Sequence, residues 1–169
     1  MTDYFTFFDL RPSPKLDQAA LKRAFYGNSK RFHPDFHTLS DADTQSEILE
    51  KSTLNNEAYR VLSDNDARLR HLLELKGALG EEGQNEVPQE FLFEIMEVNE
   101  ALMEVEMDDD PLAKEKVTGL IDQLEAELDR EVAPIVANYD HARVTEGELK
   151  QLTDYYLKRR YLVRLREKL

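Results

Sequence analysis

The sequence predicts an all-α protein, a helical hairpin in the N-terminal part followed by a three-helix bundle. Apolar residues recur three and four positions apart in most segments, the spacing of a helix face. Only six glycines and six prolines occur in 169 residues. Runs rich in β-branched residues, which would mark strands, are few.

A first short helix is expected near Tyr4–Phe8. Pro12 and Pro14 break it, because proline blocks helix propagation and biases the residue before it to extended geometry. Asp17 is the expected N-cap of a second helix from Gln18 to about Phe32. Leu21, Ala24, Phe25 and Phe32 share roughly one face of it, interrupted by Asn28. Gly27 lies mid-helix, where glycine costs about 1 kcal/mol relative to alanine. Pro34 ends the helix, and a polar loop follows to about Asp43. A third helix runs from about Thr44 to Leu62, with Ile48, Leu54, Ala58, Val61 and Leu62 as its apolar positions. Ser63 or Asp64 caps a fourth, reaching Lys76.

Gly77, Gly80 and Gly83 mark residues 77–87 as a linker. The expected organisation is therefore a domain over 1–76, the linker, and a second domain over 88–169. Pro88 stands where a first-turn proline is tolerated and opens a helix to about Met107. Asp108, Asp109, Asp110 and Pro111 close that helix and open the next, which carries Val117, Leu120, Ile121, Leu124 and Leu128. Pro134 should kink or interrupt it. Thr145 with Glu148 three residues on forms a capping-box pattern for the last helix, which bears Leu149, Leu152, Tyr155, Tyr156, Leu162 and Leu165. Short turns between three helices imply an antiparallel bundle.

Composition excludes several function classes. Without cysteine there is no disulfide framework, thiolate nucleophile, Cys zinc site or thiolate-ligated iron–sulfur cluster. The net charge of -13 argues against nucleic-acid binding, which needs a positive footprint. No apolar run is long enough to span a membrane. The start, Met1 to Phe5, is neither basic nor an apolar run, so a cytoplasmic location without a secretory signal is expected. The charge is uneven. Residues 1–76 carry 11 basic and 12 acidic side chains, net -1; residues 77–169 carry 11 and 23, net -12. Positions 81–129 hold seventeen acids against Lys114 and Lys116, whereas Lys158, Arg159, Arg160, Arg164, Arg166 and Lys168 oppose only Glu167. Attraction between acidic and basic helices of one bundle accounts for this pattern, and steering of a charged partner is the alternative.

His33-Pro34-Asp35 becomes specific through its context. Asp3, Tyr4, Phe5, Phe8 and Leu10 precede it, then Leu21-Lys22-Arg23-Ala24-Phe25 and Lys30-Arg31-Phe32. Leu54-Asn55-Asn56-Glu57-Ala58-Tyr59-Arg60-Val61-Leu62 follows. In this order and spacing, residues 2–65 resemble a J domain. The resemblance implies a helical hairpin with the triplet at its tip, docking on a DnaK-type chaperone and stimulating ATP hydrolysis there. His33, Pro34 and Asp35 would be the essential contact, and Lys22, Arg23, Lys30 and Arg31 the positive helix face. Positions 22/23 and 30/31 lie eight apart, about two turns, so both pairs share a side. Phe36 stands where many J domains have lysine, and Arg68, Leu69, Arg70 and His71 replace the usual basic motif of the fourth helix. No glycine/phenylalanine-rich segment is present. His33, Asp35 and His37 sit at and beyond a helix end, with no P-loop, G-x-S-x-G or His-Glu-x-x-His motif, so neither enzyme activity, a cofactor nor a metal site is expected.

Leu72-Leu73-Glu74-Leu75-Lys76-Gly77 and Phe91-Leu92-Phe93-Glu94-Ile95-Met96-Glu97, with the chain length and the bundle, resemble the HscB family. That resemblance implies service to an HscA-type ATPase and an IscU-type iron–sulfur scaffold. Periodicity adds an independent observation. Phe91, Ile95, Val98, Leu102 and Val105 form one stripe, the natural core face. Leu92, Met96, Met103 and Met107 form a second, and Phe93 lies further round near Glu97 and Glu100. The second stripe either packs within the protein or forms an exposed, adaptable client face. By resemblance the scaffold would bind Leu92, Phe93, Met96, Glu97 and Glu100, with Tyr161 from the last helix. A J protein for another client, or a helical interaction module with no iron–sulfur role, is the alternative.

Overall fold

The computed structural model describes residues 1–81 and 83–169. Among these the chain is all-helical, and it divides into two compact units. The first comprises Met1–Lys76 with Tyr139–Arg143, and the second Gly77–Asn138 with Val144–Leu169. Glu82, inside the expected linker, lies outside the described residues.

The first unit holds α1 (Tyr4–Phe7), α2 (Gln18–Arg31), α3 (Ala42–Ser63) and α4 (Asn65–Leu75). Aspartates set the start of each. Asp3, Asp17, Asp41 and Asp64 have extended backbones, and their carboxylates accept from first-turn N–H groups that no helical carbonyl can reach. Asp41 starts α3 two residues earlier than apolar periodicity places it, and its hydrogen bonds with Thr44 hold its carboxyl below the usual range. Phe5, Phe8, Leu21, Phe32, Ala58, Leu62, Leu69, Leu72 and Leu73 are buried. Each fully buried Leu or Phe contributes about 1.5–3 kcal/mol. Phe25 remains partly exposed and stacks on Tyr59, with ring centroids 4.2 Å apart.

Polar groups tie these helices together. Asn55, buried in α3, donates to Phe25 O and Ser29 Oγ of α2, both at 3.2 Å. Arg68, buried in α4, donates to Pro14 O at 2.9 Å, Leu62 O at 2.7 Å and Asn65 Oδ1 at 2.5 Å. His71 packs in the core; its Nε2 accepts from Tyr4 N at 3.1 Å and its ring stacks on Tyr4. His141 O accepts from Lys76 Nζ, and His141 Nδ1 lies 2.8 Å from Tyr139 Oη.

The second unit holds α5 (Gln89–Glu94), α6 (Met96–Asp108), α7 (Pro111–Ala137) and α8 (Glu146–Arg166). The single helix expected from Pro88 to about Met107 is divided at Ile95, whose φ of -90° and ψ of 1° leave the α-helical region. Hydrogen bonds run across the break, from Ile95 N to Phe91 O and from Asn99 N to Ile95 O. No glycine or proline marks that position. The predicted core stripe survives it: Phe91, Ile95, Val98, Leu102 and Val105 are all buried. They pack in one core with Val117, Ile121 and Leu128 of α7 and Leu162 and Leu165 of α8.

Asp109 takes a left-handed conformation to end α6, and Asp110 caps α7 with Pro111 in its first turn. Pro134 does not interrupt α7, which continues to Ala137. Arg130 and Pro134 are both exposed, so water can serve the Arg130 carbonyl that proline leaves without a donor. Asn138 then closes the helix through N and Nδ2 to Pro134 O. The Thr145–Glu148 capping box is present at α8.

His71 makes the first unit acid-sensitive. Burial pushes its pKa below the usual 6.5, against the opposing pull of Asp3 and Glu74, so the folded state favours the neutral ring that accepts from Tyr4. The unfolded state binds the proton more readily. The stabilisation is therefore full above about 6.5 and is lost as pH falls from there toward the folded value. Burial also lowers His141, which acts in the same direction. Denaturation midpoints of the protein should fall across this window. His71→Gln, whose amide oxygen can accept without titrating, should show a smaller fall. Parallel pH curves for the two proteins would refute the assignment.

Candidate functional site

The tip between α2 and α3 is built around Pro34. Proline fixes φ, and residues Pro34–Phe36 form one 3-10 turn with His33 as N-cap. His33 Nδ1 accepts from Asp35 N at 3.2 Å, which leaves the ring N–H on Nε2. Asp35 Oδ2 lies 3.6 Å from Nδ1, too far for a hydrogen bond. Both side chains are exposed, so the tip offers an N–H donor and a carboxylate acceptor to a partner. Phe36 stands edge-on to His33 at 5.9 Å and is itself exposed.

Neighbouring residues hold this turn in place. His37 Nε2 lies 2.9 Å from Arg31 O, at the end of α2. Gln45, in the first turns of α3, reaches back with Nε2 to His37 O, Thr38 O and Ser40 O at 3.1–3.2 Å. The two N–H groups of one amide nitrogen are thus shared among three loop carbonyls. Phe32, which precedes the tip, is buried, with the cations of Arg31 and Lys51 5.3 and 5.5 Å from its ring centre. Lys22, Arg23, Lys30 and Arg31 are all exposed on α2. The predicted triplet and its four basic residues therefore belong to one hairpin.

The second predicted site lies on α5 and α6. Leu92, Phe93, Met96, Glu97 and Glu100 are exposed, while Phe91, Ile95 and Val98 between them are buried. The alternation follows from helix period: the core takes one face and leaves these side chains on the rest. Tyr161 of α8 differs. It is partly buried against the bundle core, its ring edge-on to Phe91 at 6.0 Å and the Arg164 guanidinium 5.9 Å from its centre. Lys158 stands 5.6 Å from the Phe91 ring centre.

Sequence reasoning missed Gln45 and Arg68. Gln45 has no apolar periodicity and no motif; its role exists only once the loop folds back on α3. Arg68 reads as one member of a modified basic stretch, whereas its guanidinium is spent on three internal acceptors. Among the described residues, no helix is long and apolar enough to cross a membrane.

Comparison with known proteins agrees with this arrangement. Residues 87–169 match the family model described as the HSCB C-terminal oligomerisation domain. The chain is 28% identical over 169 residues to the human iron-sulfur cluster co-chaperone protein HscB, covering 99% of this chain and 67% of that protein. It is 35% identical over 130 residues to a co-chaperone protein HscB homolog of Pseudoalteromonas atlantica, covering 76% and 73%. A homolog from Shewanella halifaxensis is 30% identical over 152 residues, covering 85% and 86%. The crystal structure of human co-chaperone protein HscB superposes with a TM-score of 0.74 at 26% identity, covering 99% of this chain and 82% of that one. The chaperone HscB from Vibrio cholerae shares the fold, with a TM-score of 0.68 at 22% identity over 98% and 96% of the two chains.

Gln45→Ala should release the three loop carbonyls while leaving the helices folded. Amide hydrogen exchange in residues 36–40 should rise by about tenfold or more, the equivalent of losing about 1.4 kcal/mol of local stability. Unaltered exchange there would mean that the turn holds itself.

Proposed function

The chain belongs to the HscB family of co-chaperones, and on that premise we propose that it stimulates an HscA/DnaK-type ATPase and presents to it an IscU-type iron–sulfur scaffold. The observation that carries this reading is the pairing of two kinds of surface in one chain. One unit carries an exposed polar tip on a rigid hairpin. The other carries exposed apolar side chains on a helix whose core face is already satisfied.

In this reading the ATPase docks on α2 and the tip. Lys22, Arg23, Lys30 and Arg31 draw in an acidic surface and set its register. Asp35 accepts from a partner arginine, and His33 donates through Nε2. Pro34 holds the two side chains at a fixed separation, so little ordering entropy is lost on docking. The chain performs no bond chemistry; it biases the ATPase toward its hydrolysing state by binding that state better. The scaffold would dock on Leu92, Phe93 and Met96, with Glu97 and Glu100 beside them and Tyr161 supporting from α8. Methionine suits such a face because its unbranched side chain adapts to different shapes.

The two halves can be tested separately. His33→Gln should abolish ATPase stimulation while the melting curve stays that of the parent, since His33 is exposed. Retained stimulation would remove the tip from the mechanism. Substituting Leu92, Phe93 and Met96 together by alanine should weaken scaffold binding by about 2–4 kcal/mol, the loss typical of a few central apolar contacts. Unaltered affinity would favour a J protein serving another client.

A further inference from the structure

The exposed apolar surface of the second unit extends beyond the residues assigned above to the scaffold. Met103, Met107 and Leu112 are also exposed, at 61%, 82% and 72%. At about 100° per residue, Met96, Met103 and Met107 fall within about 40° of one line along α6. The buried residues Val98, Ala101, Leu102 and Val105 centre on the opposite side of that helix, about 190° away. The methionine line is thus no overflow from the core. It occupies the side that a surface helix ordinarily gives to charged residues. From Met96 to Met107 it extends for about 16 Å. Leu112, exposed in the first turn of α7, comes next in the chain after the corner made by Asp109 and Asp110.

Charge distinguishes this face from the rest of the bundle. Residues 89–110 contain nine acids and no lysine or arginine. Three of the six acids of α7 have partners on α8: Arg166 reaches Asp122 at 2.8 Å and Glu125 at 3.1 Å, and Arg159 lies 3.6 Å from Asp129. Just beyond α6, Asp109 meets Lys114 at 3.2 Å. Among the described residues, Glu97, Glu100, Glu104 and Glu106 pair with none and are exposed. Glu104 and Glu106 stand about 80° to either side of the methionine line, so they border it on both flanks. Two copies of this face brought together would set Glu100, Glu104 and Glu106 of each against those of the other, which disfavours self-association.

We propose that the docking face continues along α6 through Met103 and Met107 to Leu112, and that its occupant is an apolar segment of the scaffold partner flanked by lysine or arginine. This rests on the functional reading above and specifies the chemistry of its client. Methionine and leucine supply adaptable apolar contact, and the bordering glutamates select for basic flanks and speed encounter.

The test uses the full-length chain and a purified IscU-type scaffold, with affinity measured by titration calorimetry at low and high salt. Met103→Ser, Met107→Ser and Leu112→Ser combined should weaken binding by about tenfold or more at both salts, without altering the melting curve. Glu104→Gln with Glu106→Gln should weaken binding at low salt and flatten its salt dependence. Wild-type affinity in the serine variant, alongside a loss in Leu92→Ala, would confine the face to the region before Met103 and overturn the proposal. A salt dependence unaffected by the glutamine pair would overturn the basic character of the occupant. Sedimentation showing a wild-type dimer that the serine variant dissolves would assign the face to a second copy. If wild type itself does not bind the scaffold, the functional reading fails with it.

Discussion

The guanidinium of Arg68 sets the geometry on which the hairpin rests. Its three hydrogen bonds reach the loop before α2, the last turn of α3 and the first residue of α4. A buried guanidinium is costly, and burial lowers its affinity for the proton even with Asp64 opposing. Three well-formed acceptors offset that cost, and leaving any of them unmade would expose the full desolvation penalty. The loop ending at Pro14 is thereby held where Asp17 can open α2. Lys22, Arg23, Lys30 and Arg31 are left exposed, spread over about half of the α2 circumference.

From that anchor the tip follows by short steps. Asn55 joins the middle of α3 to α2, so the two helices share a register at Phe25 and Ser29. Beyond that bond the chain must reverse direction within ten residues, between Phe32 and Ala42. Pro34 turns it, His37 ties the turn to the end of α2, and Gln45 ties it to α3. His33 is left with one nitrogen engaged internally and one free. A side chain so placed is presented by its neighbours rather than by its own packing, which is why an exposed residue can still be a fixed one.

Much of this was legible in the sequence because the signals were local. Asp17, Pro34, Thr145 and Glu148 act within a few residues of themselves, and the helices they begin or end were placed closely. The core stripe of Phe91, Ile95, Val98, Leu102 and Val105 depends only on helix period and held despite the break at Ile95. What escaped depends on distant partners. Arg68 meets Pro14 across more than fifty residues, and Tyr161 meets Phe91 across seventy. Gln45 meets carbonyls whose positions exist only after the loop folds. Asp41 could have been found, since an aspartate three residues before Thr44 is an ordinary cap; apolar periodicity, absent from that first turn, was the wrong guide. Pro134 leaves α7 uninterrupted because its penalty depends on whether the freed carbonyl meets water, which burial decides and sequence does not.

The second unit shows how one acidic composition separates into two physical roles. Read as a sum, the acids of residues 81–129 and the bases of the last helix look like a single mutual attraction. In the structure that attraction is realised on α7, where Asp122, Glu125 and Asp129 meet Arg166 and Arg159. These pairs are partly exposed, and each contributes about 1 kcal/mol or less to stability. The acids of α6 have no such outlet, and their mutual repulsion opposes folding slightly. Such charge, solvated but unpaired, remains available to a cationic partner. Set beside a line of methionines facing away from the core, it describes a surface whose favourable electrostatics are completed only when something basic and apolar lies on it.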